Sequence, residues 1–186
     1  MDESPSLLSD LRPDLRPRYE IDSEIARGGM AAVFLATDIR HERAVAIKVL
    51  LPEVAQHVGT GRFVREIRIA ARLAHPNILP LFDSGEAGGL PFYVTPYVPG
   101  DDLRESLTRR GRFTALEAVS VIADAAHGLD YAHGEGVVHR DVKPGNILIS
   151  GNVAVLADFG IARAIGLAGG ERLTRSGIRL GTPYYK

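Results

Sequence analysis

A polar block, His139-Arg140-Asp141-Val142-Lys143-Pro144-Gly145-Asn146, stands between apolar Val137-Val138 and Ile147-Leu148-Ile149. Packing alone does not account for it, because a buried charge without a partner is costly. Asp141 is placed to orient or deprotonate an incoming hydroxyl. Asn146 and Asp158 offer an amide oxygen and a carboxylate, hard ligands of the kind Mg²⁺ takes. Between them, Ser150-Gly151-Asn152 separates Ile147-Leu148-Ile149 from Val153-Ala154-Val155-Leu156, a β-hairpin signal that folds Asn146 back towards Asp158. Taken alone, Asp158-Phe159-Gly160 reads first as a polar loop closing that hairpin.

Upstream, Val45-Ala46-Ile47-Lys48 lies in a strand-like run. Alternation puts Ala44, Ala46 and Lys48 on one face and Val45, Ile47 and Val49 on the other. A small residue beside a lysine suits a flat ring next to a phosphate; an edge-strand lysine facing water is the other reading. Glu66 lies three residues after Phe63 and four before Ala70, close to an apolar helix face. A carboxylate there calls for a cation, and Lys48 is the obvious one. Gly28-Gly29, between two strand-like runs, allows a tight turn whose bare N–H groups could hold phosphate, although taken alone an ordinary hairpin turn is the favoured reading.

The elements that must position these residues follow from periodicity. Ala32–Ala36 and Ala44–Leu50 read as strands, as do Ile78–Phe82 and Phe92–Val98. A helix spans Gly61–Leu73, with Phe63, Ile67 and Ala70 on one face, and His75-Pro76 ends it. Pro96, Pro99 and Gly100 mark a connector. A long helix follows, opened by the capping box Thr114…Glu117, with Ala118, Ile122, Ala125, Leu129 and Ala132 as its buried stripe. Residues 1–18 read as a flexible, poorly ordered polar lead-in.

Composition narrows the classes. The 186 residues carry a net charge of -1, so neither a basic nucleic-acid surface nor an acidic tail is indicated. Cysteine is absent, which excludes disulfides and thiolate metal sites and fits a reducing compartment. No run approaches a bilayer span, no signal peptide is visible and no internal repeat appears.

Glycine turn, Val45-Ala46-Ile47-Lys48, Glu66, His139-Arg140-Asp141 with Asn146, and Asp158-Phe159-Gly160 occur together and in this order. On these motifs the chain from Tyr19 onward resembles the eukaryotic-like (Hanks-type) protein kinases. Gly28-Gly29-Met30, His75-Pro76-Asn77-Ile78-Leu79 and Asp158-Phe159-Gly160-Ile161-Ala162-Arg163 look most like the bacterial serine/threonine branch. The resemblance implies an α+β, bilobal fold. Residues 19–95 would form a β-rich N-terminal lobe, 96–100 a hinge, and 101–186 an incomplete helical C-terminal lobe.

It also implies roles. Ala26, Arg27, Gly28 and Gly29 would cover the ATP phosphates, and Lys48, positioned by Glu66, would hold them. Val33, Ala46 and Leu148 would sandwich adenine, with Thr95 as gatekeeper and Pro96 to Val98 as hinge. Asp141 would accept the hydroxyl proton, Lys143 would touch the γ-phosphate, and Asn146 and Asp158 would bind Mg²⁺. Lys143 and Gly181-Thr182-Pro183 favour serine and threonine hydroxyls of a protein substrate. Thr174 and Ser176 are candidate autophosphorylation sites, which implies a kinase homodimer acting in trans; exposed loop hydroxyls explain them equally well.

Two departures stand out. Alanine fills both outer positions of the glycine pattern, Ala26 and Ala31, which implies a stiffer loop. No Ala-Pro-Glu follows Gly181-Thr182-Pro183, so the catalytic domain is expected to be cut short, with a non-catalytic nucleotide-binding or scaffold module as the alternative. A small-molecule phosphotransferase is disfavoured by Lys143 and Gly181-Thr182-Pro183. The expected location is cytoplasmic, with no membrane segment in this chain, although similar bacterial kinases often continue into a membrane anchor.

Overall fold

The protein is described from a computed structural model over residues 4–58, 63 and 67–159. Glu66, Gly160, Thr174, Ser176 and Gly181-Thr182-Pro183 lie outside the described residues. The chain divides into two compact units, Met1–Val64 with Leu81–Tyr97 and Arg65–Pro80 with Val98–Lys186. The division at Tyr97 falls within the connector read from Pro96 to Gly100. Residues 65–80, expected in the first lobe, group with the second unit.

The first unit is built on five strands: β1 (Tyr19–Arg27), β2 (Ala31–Asp38), β3 (Arg43–Leu50), β4 (Asp83–Ala87) and β5 (Leu90–Pro96). They form an antiparallel sheet in the order β1-β2-β3-β5-β4. On β3 the expected alternation holds: Val45, Ile47 and Val49 are fully buried, whereas Ala46 and Lys48 are half-buried on the opposite face. A short helix, α2 (Pro52–Val58), follows β3.

The lead-in reading fails for residues 4–15. They form helix α1 (Ser4–Leu15), whose Leu7, Leu11 and Leu15 join the core with Tyr19, Phe34, Val45, Ile47 and Val94. The leucines fall at i, i+4 and i+8, one helix face, and a few well-placed apolar residues suffice once a sheet is there to cover. Asp14 fixes the helix to the β4–β5 turn by accepting the Gly88 N–H at 2.7 Å. The strand expected at Ile78–Phe82 is also displaced. Ile78 makes a single bridge to Leu156, and the real strand is the next five residues, Asp83-Ser84-Gly85-Glu86-Ala87. It lies at the sheet edge, where backbone pairing to β5 holds a polar segment that no hydrophobic pattern announces.

The second unit contains α3 (Leu103–Arg110), α4 (Ala115–Gly134), a 3-10 turn (Pro144–Asn146) and the hairpin β6 (Ile147–Ser150) and β7 (Val153–Leu156). The hairpin turn is as expected: Ser150 pairs with Val153, and Gly151 at φ 61° takes the left-handed position that a side chain resists. The Thr114 capping box is complete in both directions.

The stripe on α4 needs correction. Ala125, Gly128 and Ala132 are buried, Ala118 and Leu129 are half-buried, and Ile122 is 67% exposed. The helix packs so closely that a Cβ on Gly128 would lie 2.9 Å from the Asn77 carbonyl oxygen and 3.0 Å from the Leu156 side chain of the hairpin. Small residues therefore mark the packed face. Asp124 accepts the Ala154 N–H at 2.8 Å, and Asn77 donates to the Ala154 carbonyl at 3.0 Å and accepts from Leu156 N–H at 2.9 Å. These bonds, with Ala70, Leu73 and Ile78 in the same core as α4, explain why residues 65–80 belong to this unit.

Candidate active site

In the first unit, antiparallel register places side chains directly opposite one another on one face. Val33 pairs with Lys48, Lys48 with Tyr93, and Ala46 with Thr95. Val33, Ala46, Lys48 and Thr95 therefore share the face that β3 turns away from its apolar core. Tyr93 extends that face by ring contact with Phe63, at 6.4 Å between centroids. Pro96 is half-buried, as is Val98 in the second unit.

The glycine turn joins β1 to β2. Gly28 donates its N–H to the Ala31 carbonyl at 2.9 Å, so that amide closes the turn. Nothing lies within 4 Å of a Cβ placed on Gly29, which leaves its backbone open to approach. Ala26 and Arg27 are exposed at the end of β1, where Arg27 makes a two-point ion pair with Glu24 at 2.6 and 2.7 Å.

In the second unit the polar block folds around His139, which is 1% exposed. Its Nε2–H donates to the Ala157 carbonyl at 2.9 Å, and its Nδ1 accepts the Asp141 N–H at 3.3 Å. Both ring nitrogens are thus satisfied in the neutral form. Burial pushes its pKa below the usual histidine value, against the opposing pull of the Ala157 hydrogen bond and of Asp158. Phe159 packs on the ring at 4.5 Å. The histidine is an anchor joining the start of the polar block to the segment that carries Asp158.

Asp141 is held from two sides. Lys143 Nζ lies 2.6 Å from Asp141 Oδ2, and Asn146 Nδ2 donates to the Asp141 carbonyl at 2.8 Å and to its Oδ2 at 3.2 Å. Asn146 is buried, and its own carbonyl accepts the Ala157 N–H at 2.9 Å. Asp158 follows directly in the chain after Ala157, whose backbone is thereby tied to that of Asn146. Leu148, on β6, is half-buried and bridges to Asp102.

Arg140 and Asp158 adopt φ of 69° and 67°, left-handed backbone that costs a non-glycine residue about 1–2 kcal/mol. The two strained residues flank the candidate base and supply a candidate ligand, where such strain is commonly stored.

The donor set fits Mg²⁺. With its NH₂ turned to Asp141, Asn146 has its side-chain oxygen to offer, and Asp158 offers a hard carboxylate. No group of three or more His, Cys, Asp or Glu able to hold a metal occurs among the described residues. Two protein ligands completed by phosphate oxygens and water is the way Mg²⁺ is commonly held.

Arg104 and Asp102, beside the polar block, were missed from sequence. Both lie 3.7 Å from where a Cβ on Gly145 would stand. The Asp102…Glu105 spacing was a legible capping box, and the structure shows it complete. Nothing in it signalled proximity to Gly145.

The description "protein kinase domain" matches residues 19–186. The serine/threonine-protein kinase PknB of Mycobacterium leprae is 43% identical over 179 positions, covering 93% of this chain and 28% of that protein. PknB of Mycobacterium tuberculosis (strain ATCC 25618 / H37Rv) is 44% identical, covering 98% and 29%. The chain thus spans less than a third of these relatives. Among solved structures, the Mycobacterium tuberculosis PknI kinase domain superposes with a TM-score of 0.70 at 34% identity, over 77% of this chain and 60% of that one. With its motifs filled and its fold shared, the chain belongs to the protein kinase family, among relatives named as bacterial serine/threonine kinases.

Proposed function

We propose that this chain carries the Mg-ATP site of a serine/threonine protein kinase and directs γ-phosphoryl transfer to protein hydroxyls. The observation that carries it is Asp141, its carboxylate fixed by Lys143 at 2.6 Å and by Asn146 at 3.2 Å. A carboxylate so held takes the proton of a serine or threonine hydroxyl as its oxygen bonds to the γ-phosphorus and the bond to the β–γ bridging oxygen breaks. Lys143, beside that carboxylate, follows the charge onto the γ-phosphoryl oxygens. Bound Mg-ATP supplies the phosphoryl group and the neutralising metal charge.

The remaining residues bind and orient. Asn146 and Asp158 hold the metal. Lys48, with Glu66 as its partner, takes the α- and β-phosphates, while the open backbone at Gly29 lies over them beside Ala26, Arg27 and Gly28. Val33, Ala46 and Leu148 contact adenine, Thr95 bounds its pocket, and Pro96 to Val98 offer backbone groups to its edge. Thr174 and Ser176 are the proposed sites of autophosphorylation in trans by a second copy. Phosphosite mapping on active protein that found neither modified would remove that part.

The test is phosphate transfer from labelled ATP with Mg²⁺ to mixed acidic and basic proteins. It compares this chain, a C-terminally extended form and the extended form with Asp141→Asn. Transfer is expected in the extended form, with Asp141→Asn lowering kcat by about 10²–10⁴-fold. Undiminished transfer by Asp141→Asn overturns the reading. ATP-induced stabilisation without transfer in the extended form points to a binding module instead.

A further inference from the structure

We infer that Arg104 is a specificity-determining contact that favours protein substrates with an acidic side chain near the phosphorylated hydroxyl; this rests on the kinase reading above. Arg104 lies on the first turn of α3, with its guanidinium carbon 3.7 Å from the position a Cβ on Gly145 would take. Gly145 precedes Asn146, which hydrogen-bonds both the backbone and the carboxylate of Asp141. The guanidinium is therefore separated from the candidate base by one loop residue and one hydrogen-bonded side chain. Because residue 145 is a glycine, it places no side chain of its own between this cation and whatever lies along the loop, although Asp102 Oδ2 lies equally near, at 3.7 Å.

Arg104 is the more exposed member of its ion pair. Its side chain is 69% exposed, against 15% for Asp102, and the two are 3.7 Å apart, a long ion pair. Asp102 turns Oδ2 to Arg104 while its Oδ1 accepts the Glu105 N–H at 2.8 Å, and Glu105 reaches back to the Asp102 N–H at 3.4 Å. Asp101 is paired with Arg109, and Lys143 with Asp141. A substrate whose hydroxyl reaches Asp141 thus presents its flanking residues to a guanidinium, which binds carboxylates in a two-point fork.

The test uses the full-length natural protein and peptides that differ only in Glu, Ala or Arg beside the serine or threonine, on either side. We expect kcat/KM to rank Glu above Ala above Arg, with Glu over Arg by about threefold to tenfold, the scale of exposed ion pairs. Added salt should compress the ranking. Arg104→Ala should flatten it and Arg104→Glu should invert it, with thermal midpoints confirming that both variants are folded. Peptides turned over with the same ranking by all three proteins overturn the inference and leave the kinase reading intact. No turnover of any peptide or protein by the unmodified enzyme defeats the kinase reading, and the inference with it.

Discussion

At the scale of single residues, the motif His139-Arg140-Asp141 was legible, but the work of its histidine was not. The sequence ranked His139 among polar residues of a loop, whereas it is buried and bonded at both ring nitrogens. Its pKa is depressed in the fold, so the unfolded chain binds a proton more readily below the usual histidine value of about 6.5. Stability from this residue is therefore full above that pH and lost as pH falls below it. We expect urea unfolding to show lower stability at pH 5 than at pH 7, with a smaller difference in His139→Gln. An equal pH dependence in both proteins would place the effect elsewhere. His139→Ala should cost about 2–5 kcal/mol, because a cavity forms and the Ala157 carbonyl and Asp141 N–H lose their partner.

At the scale of elements, what could be read depended on whether local pattern or tertiary surroundings set the structure. The capping box at Thr114 and the turn at Gly151 are local, and both appear as expected. Helix α1 and strand β4 are made by their neighbours: one covers a sheet, the other completes its edge. Leu11→Ala, at a fully buried site, should therefore lower unfolding free energy by about 2–5 kcal/mol. On α4, Gly128→Ala should destabilise by about 1–3 kcal/mol, since the new Cβ meets the Asn77 backbone. Ile122→Ala should stay within about 0.5 kcal/mol, as its side chain is exposed. Thermal or urea unfolding of the three variants checks the ordering, which is the reverse of what helix periodicity alone would give for residues 122 and 128.

At the scale of the whole molecule, the proposed nucleotide groups are distributed over two units, with Lys48 in one and Asn146 and Asp158 in the other. Ligand binding stabilises the native state by about 2.7 kcal/mol at a hundredfold excess over Kd. Mg-ATP is expected to raise the thermal midpoint of this chain, and Lys48→Met and Asp158→Asn should each remove the shift. A shift preserved in both variants would mean that nucleotide binds elsewhere. Removing Mg²⁺ with a chelator should reproduce the loss seen in Asp158→Asn.

The sequence by itself determined the family, the order of its chemical groups and the faces of β3, because short motifs and a two-residue period are local properties of the chain. It also located the Thr114 cap and the Gly151 turn, where side chains and φ angles act within a few residues. Tertiary structure decided the rest. Gly28 closes its own turn, His139 became a buried anchor, and residues 4–15 became a helix because the sheet offered apolar surface to cover. The polar segment 83–87 became a strand because an edge was open beside β5, and Arg104 came to stand over Gly145 because α3 packs on the catalytic turn. Each of these depends on atoms distant in sequence, which no local pattern encodes.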